Sequence, residues 1–158
     1  DNMAIHKVDG VDGDANFPKK FVRLYAAAAV AKGDWVMIDV ADTTNGLGAS
    51  VKKTLGSTAA GDPAFGIAVA AIAAGSVGTI QTAGKYGDET AGGGANVHTD
   101  AAAGKYLAAG NGGGAGTANL MDSAITEGSV CGLALNAAGA GDYGANECTV
   151  IIIDQGLF

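Results

Sequence analysis

From Phe21 onward, short apolar runs alternate with clusters of Gly, Asp, Asn and Ser. Runs of this length, bounded by turn formers, read as strands. They fall at Phe21–Tyr25, Trp35–Val40, Ser50–Leu55, Phe65–Ala71, Val77–Thr82, Lys105–Ala108, Ala118–Met121, Val130–Asn136 and Thr149–Asp154. The strongest are Trp35–Val40 and the run Val150-Ile151-Ile152-Ile153. The two-residue period of a strand puts Trp35, Met37 and Asp39 on one face and Val36, Ile38 and Val40 on the other. The apolar trio is expected to face inward, with Trp35 in or beside the core and partly exposed at a rim or an interface. Helix is the rival reading, because Ala is the best helix former. Gly interrupts nearly every Ala run, however, and Asp62-Pro63 and Gly46-Leu47-Gly48 add further breaks. The expectation is an all-β protein.

The order of these runs repeats. Ala31-Lys-Gly-Asp-Trp-Val-Met-Ile is similar in pattern to Ala103-Gly-Lys-Tyr-Leu. Pro63-Ala-Phe-Gly-Ile-Ala-Val-Ala is similar to Ser129-Val-Cys-Gly-Leu-Ala-Leu-Asn, and each is followed by an Ala/Gly turn and a closing strand. A Gly inside a strand usually marks a bulge or the close approach of another backbone. A duplicated unit of this kind closes into a small Gly/Ala-rich β-barrel or sandwich, which also removes free edges. The predicted organisation is an extended N-terminal arm over residues 1–20 and a β-domain over 21–158. The repeat halves are about 21–82 and 103–158, joined by a connection over 83–102. The arm shows no helical or strand period; Asp9, Asp12 and Asp14 with Gly10 and Gly13 form an acidic, turn-rich stretch. Phe17-Pro18 fixes an extended backbone just before the first strand.

Composition sharpens this picture. Ala and Gly number 33 and 27 of the 158 residues, so side-chain contacts are small. Gly also loses the most backbone freedom on ordering. A monomer so built is expected to be modestly stable and to gain from subunit or partner contacts. Apolar content of 48% with 16% charged residues argues against disorder. A net charge of −7 disfavours binding to nucleic acid through a general basic surface. Phe65–Ile80 is apolar but thinned by Gly and Ser, and at 16 residues is short of the roughly 20 that a spanning helix needs. No membrane partner is expected. The chain opens at Asp1 without an initiating Met, so processing or trimming is expected.

The catalytic and cofactor signatures are weak. Gly139-Ala-Gly-Asp-Tyr-Gly144 fits a dinucleotide fingerprint, but too little chain follows for a βαβ unit. Gly110-Asn-Gly-Gly-Gly-Ala115 is not followed by a long helical pattern. Asp12-Gly-Asp14-Ala-Asn16 begins like a calcium loop, but Phe17 replaces the required Gly and Arg23 stands where a bidentate acid belongs. Cys131, Cys148, His6 and His98 show no zinc spacing. Cys131 reads as a small apolar core residue. A Cys131–Cys148 disulfide is disfavoured, because a simple hairpin register offsets the two. No enzyme, cofactor or metal is predicted.

The order Ala31-Lys-Gly-Asp-Trp-Val, then Phe65-Gly-Ile-Ala-Val with Ala73-Ala-Gly-Ser-Val-Gly-Thr-Ile, resembles the head decoration proteins of tailed bacteriophages, also called capsid cement proteins. The second copy runs through Val130-Cys-Gly-Leu-Ala-Leu, Ala138-Gly-Ala-Gly-Asp and Val150-Ile-Ile-Ile, so the resemblance spans roughly Phe21 to Asp154. It implies a non-catalytic virion protein on the outer surface of the capsid, often a homotrimer. Its partner would be the major capsid protein, whose adjacent subunits it would bridge and so stabilise. Two alternatives are a head-fibre or spike protein contacting the host, and a secreted or surface-layer β-module. The arm and its flank supply the contact candidates: Met3, Ile5, Val8 and Phe17 as apolar anchors interleaved with His6, and Lys7, Lys19, Lys20 and Arg23 to meet acidic groups.

Overall fold

The computed structural model describes residues 18–46, 48–56, 62–110, 114–120 and 130–158. Among them every regular element is a strand: β1 (Lys20–Ala26), β2 (Trp35–Ile38), β3 (Ser50–Lys53), β4 (Gly66–Ala68), β5 (Ser76–Tyr86), β6 (Ala95–Asn96), β7 (Tyr106–Ala109), β8 (Ala118–Leu120), β9 (Val130–Ala134), β10 (Glu147–Cys148) and β11 (Val150–Ile152). No described helix is long and apolar enough to cross a membrane.

Five strands close a mixed barrel. Their order is β1-β3-β2-β4-β5, and β5 pairs back to β1. Only the β1–β3 contact is parallel, with Tyr25 opposite Ser50. The closing β1–β5 pair is antiparallel and runs from Lys20 opposite Ala83 to Ala26 opposite Ser76, with a register shift between Lys20 and Phe21. Strand β1 alternates as its sequence predicts. Val22, Leu24 and Ala26 point into the barrel, where they meet Val30, Val36, Val51, Phe65, Ala68, Ile72 and Ile80.

Strand β5 is long enough to serve two sheets. Its last residues leave β1 and pair with β11, which continues the sheet through β9 and β7 to β8. The order β3-β2-β4-β5-β11-β9-β7-β8 is palindromic in kind. On each side of the β5–β11 contact lie a Gly-containing strand (β4 or β9), a preceding strand (β2 or β7) and its antiparallel partner (β3 or β8). Between these two halves sits a second core: Trp35, Ile67, Tyr86, Val97, Leu107, Cys131, Cys148, Val150 and Ile152.

Two corrections to the facing of Trp35–Val40 follow. Trp35 is 0% exposed, so it is not at a rim. The wall formed by β2 and β4 has a core on each side; Val36 and Ala68 face the barrel, whereas Trp35 and Ile67 face the second core. Val40 is 68% exposed, because β2 ends at Ile38. The chain turns there, with the Ala41 N–H donating to Asp39 Oδ1. The 83–102 segment is also more than a connection. It carries the end of β5, and β6 within it pairs with β10.

The two Gly residues of the repeated strands answer to close approaches. A Cβ on Gly66 would lie 2.6 Å from the Gln81 carbonyl oxygen and from Ile80 Cγ2. A Cβ on Gly132 would lie 2.8 Å from Trp35 Cη2, so the indole of the first half lies against bare backbone of the second. Cys131 and Cys148 are both free and buried, and burial pushes each thiol up to about 12.

Trp35→Ala is expected to destabilise the protein by about 3–5 kcal/mol, and Gly132→Ala by about 1–3 kcal/mol through overpacking. Chemical denaturation followed by circular dichroism measures both; a Gly132→Ala curve matching wild type would contradict the ring-on-glycine contact. Neither thiol of the folded chain is expected to react with a disulfide reagent at pH 8, whereas both should react in guanidinium. Rapid titration of one thiol under native conditions would show that its site is open.

Candidate interaction surface

The outer face of β1 is built by the same alternation that fills the barrel. Phe21, Arg23 and Tyr25 point away from the core and lie opposite Gln81, Thr79 and Val77 of β5. Phe21 is 53% exposed and Val77 51%. Arg23 Nη1 donates to Thr79 Oγ1 at 3.3 Å. Lys20 forms an ion pair with Asp154 just beyond β11, which ties the start of β1 to the end of the second sheet. That lysine and the Gly156 N–H hold the Asp154 carboxyl below the usual carboxylate range.

The fold thus sends these bases different ways: Lys20 to Asp154, Arg23 to Thr79, and Lys19 to the cleft beside β1. Met3, Ile5, His6, Lys7, Val8 and Phe17 lie outside the described residues, as does the calcium-like stretch Asp12–Asn16.

Beside β1 is an open cleft of about 310 Å³. Lys19, Lys32, Lys85 and Asp88 supply its charges, and Phe21, Val69 and Tyr86 its larger apolar surface. Gln81 shapes one wall. Its side-chain Nε2 donates to the carbonyls of Ala83 and Lys85, both at 3.0 Å, bracing β5 where it leaves the barrel. Asp88 is folded into its own turn, accepting from Thr90 N at 3.1 Å and from Thr90 Oγ1 at 2.7 Å. These hydrogen bonds, the hydroxyl one foremost, lower its pKa. Burial pushes the Tyr86 hydroxyl up to about 12, with Asp88 and Glu147 adding to the effect, so it stays neutral.

The second sheet presents a further surface. Tyr106, Leu133, Ile151 and Lys85 lie in one cross-strand row over β7, β9, β11 and β5. Tyr106 is 57% exposed, and Leu133 and Ile151 are partly so. Sequence reasoning singled out neither this row nor the cleft. A signal for the row exists: Val130–Leu135 and Val150–Ile153 are nearly continuous apolar runs, the pattern of strands apolar on both faces. No local signal marks the cleft, because Lys32 and Lys85 are distant in sequence.

Among the described residues, several titratable groups near these surfaces are engaged in local structure. His98 pairs with Asp100 at 3.2 Å on the exterior. No group of three or more His, Cys, Asp or Glu among the described residues converges on a metal-sized site. Gly139–Gly144 forms turns leading toward β10, with Tyr143 directed inward to bond Thr149 Oγ1 at 2.7 Å. Asp34, 6% exposed, is structural. It accepts from Ala31 N at 2.9 Å and from Asn96 Nδ2 at 2.7 Å, and so pins the turn before β2 to β6.

Phe21→Ser and Tyr106→Ser are each expected to change stability by no more than about 0.5 kcal/mol, as exposed substitutions do. Each should shorten retention on a hydrophobic-interaction column. Loss of the cooperative melt in either variant would show that the residue is structural.

The fold is similar to that in the crystal structure of the head fibre gp8.5 N base of bacteriophage phi29. The TM-score is 0.53 at 16% identity, over 85% of this chain and 94% of that one. No family model matches the chain, and no curated protein matches it.

Proposed function

We propose that this chain is a non-catalytic structural protein of a phage virion, seated on the outer surface of the head as the base of a projecting fibre or spike. The observation that carries this reading is the fold likeness to a head-fibre base over most of both chains. It ranks the fibre-base reading above the cement reading that the sequence motifs suggest. Two features suit a base. The barrel has no free edge between β1 and β5, and the outer row Tyr106, Leu133 and Ile151 offers apolar area to a neighbour. Apolar area removed from water contributes about 25 cal/mol per Å² before association costs.

In this reading the major capsid protein is the partner, and residues 1–20 are an arm that docks on it. Met3, Ile5, Val8 and Phe17 are its anchors, His6, Lys7, Lys19 and Lys20 are its polar contacts, and Arg23 adds one from its flank. The chain self-associates as a homotrimer. The two halves, about 21–82 and 103–158, are copies of one unit, a division supported by the palindromic strand order. A second reading is a cement protein that bridges adjacent shell subunits. It is favoured by the twice-used motif in which a Gly strand lies between a preceding strand and a closing one.

Quantitative mass spectrometry of purified virions separates these readings. A fibre base is expected at a copy number well below that of the shell protein, and cement near equality with it. Absence of the chain from virions would overturn both. Deleting residues 1–17 is expected to preserve the melting curve of the β-domain and to reduce head binding. Full occupancy by the truncated chain would remove the arm from the contact.

A further inference from the structure

We infer that the cleft between the start of β1 and the end of β5 is a binding site for a carboxylate-bearing, extended peptide segment of a partner protein. Lys19, Lys32 and Lys85 would hold its acidic groups, and Phe21 would meet an apolar side chain between them. The chain carries 16 acids against nine bases, yet among the described residues three bases line this cleft with one acid. That acid is Asp88, which accepts two bonds from Thr90 and offsets part of the charge of Lys32. The cleft is thus a local positive site on a negative molecule. Charge-assisted bonds from lysine to carboxylate are stronger than neutral ones. A field of opposite sign around them favours a partner that brings its charges to this one place.

The shape points to a peptide rather than to a compact ion. The volume of about 310 Å³ is open, and it includes the exposed Phe21 ring and the apolar sides of Val69 and Tyr86. An inorganic anion would leave that apolar surface wet. Recognition by strand addition is disfavoured, because the Ala83 and Lys85 carbonyls on this side of β5 are already taken by Gln81. Side-chain charge and the Phe21 contact are left to do the recognition. Lys85 also ends the outer row through Ile151 and Leu133, so a segment leaving the cleft could continue along apolar surface.

The test is a titration of the full, isotope-labelled chain with a blocked hexapeptide of alternating Glu and Leu, followed by amide chemical shifts. Saturable shifts are expected at Phe21, Lys85, Gly87 and Gly93. The triple variant Lys19→Glu, Lys32→Glu, Lys85→Glu should weaken binding at least about tenfold, one decade of affinity. Raising salt from about 20 mM to about 500 mM should weaken it several-fold by screening. Retained Trp35 fluorescence checks the fold of the triple variant; if it misfolds, Lys85→Gln alone should weaken binding about threefold, which a titration resolves. Three results would overturn the inference: no shifts at millimolar peptide, equal binding of a Gln and Leu hexapeptide, or a stronger response at the same amides to inorganic phosphate or a short oligonucleotide. Such failure leaves the head-surface reading intact, because that reading is decided by virion composition.

Discussion

The contact on which the architecture turns is the seat of the Trp35 indole against Gly132. It is the place where the largest side chain of the first half meets the second half with no side chain in between. The same residue is anchored through its backbone. Its N–H donates to the Gly116 carbonyl at 2.9 Å, and its carbonyl accepts from Thr54 N at 3.0 Å. Among the described residues, the indole Nε1 is buried without a hydrogen-bond partner. Leaving a buried donor unpaired costs about 1–3 kcal/mol. The ring is therefore held by shape and burial, and a chain so rich in Ala and Gly has few other side chains large enough to fill that space.

A wall with a core on both faces follows from this contact. Strands β2 and β4 present Val36 and Ala68 to the barrel and Trp35 and Ile67 to the second core. Such a wall needs a strand that belongs to both sheets, and β5 is that strand. The Gln81 carboxamide braces the handover by donating to the Ala83 and Lys85 carbonyls, where β5 passes from its pairing with β1 to its pairing with β11. The cleft beside β1 is the outward mark of the same handover, so its lysines are placed by the constraint that sets the core.

Most strands were legible, because turn formers bound short apolar runs and β1 alternates with a plain two-residue period. The facing of Trp35 was not. An alternation argument assumes one wet face, and it fails where both faces are buried. Strands β6 and β10 have two residues each and leave no periodic trace. The end of β5 was hidden because Ala83-Gly84 reads as a break, whereas Gly84, at φ +91°, carries the strand through its bend. At the surface, Lys19, Lys20 and Arg23 were visible as neighbours in the chain. Lys32 and Lys85 join Lys19 at the cleft only through the tertiary fold.

The way β1 closes the barrel has a mechanical consequence. Strand β1 starts at Lys20 and runs at once along β5, with paired residues from Lys20–Ala83 to Ala26–Ser76. A pull on the preceding segment, directed along β1, loads these pairs in shear, all together, instead of peeling them one after another. The parallel partner β3 grips only the far end of β1, at Tyr25 and Ala26. Tension entering at Lys20 is thus spread along the strand before it reaches the interior.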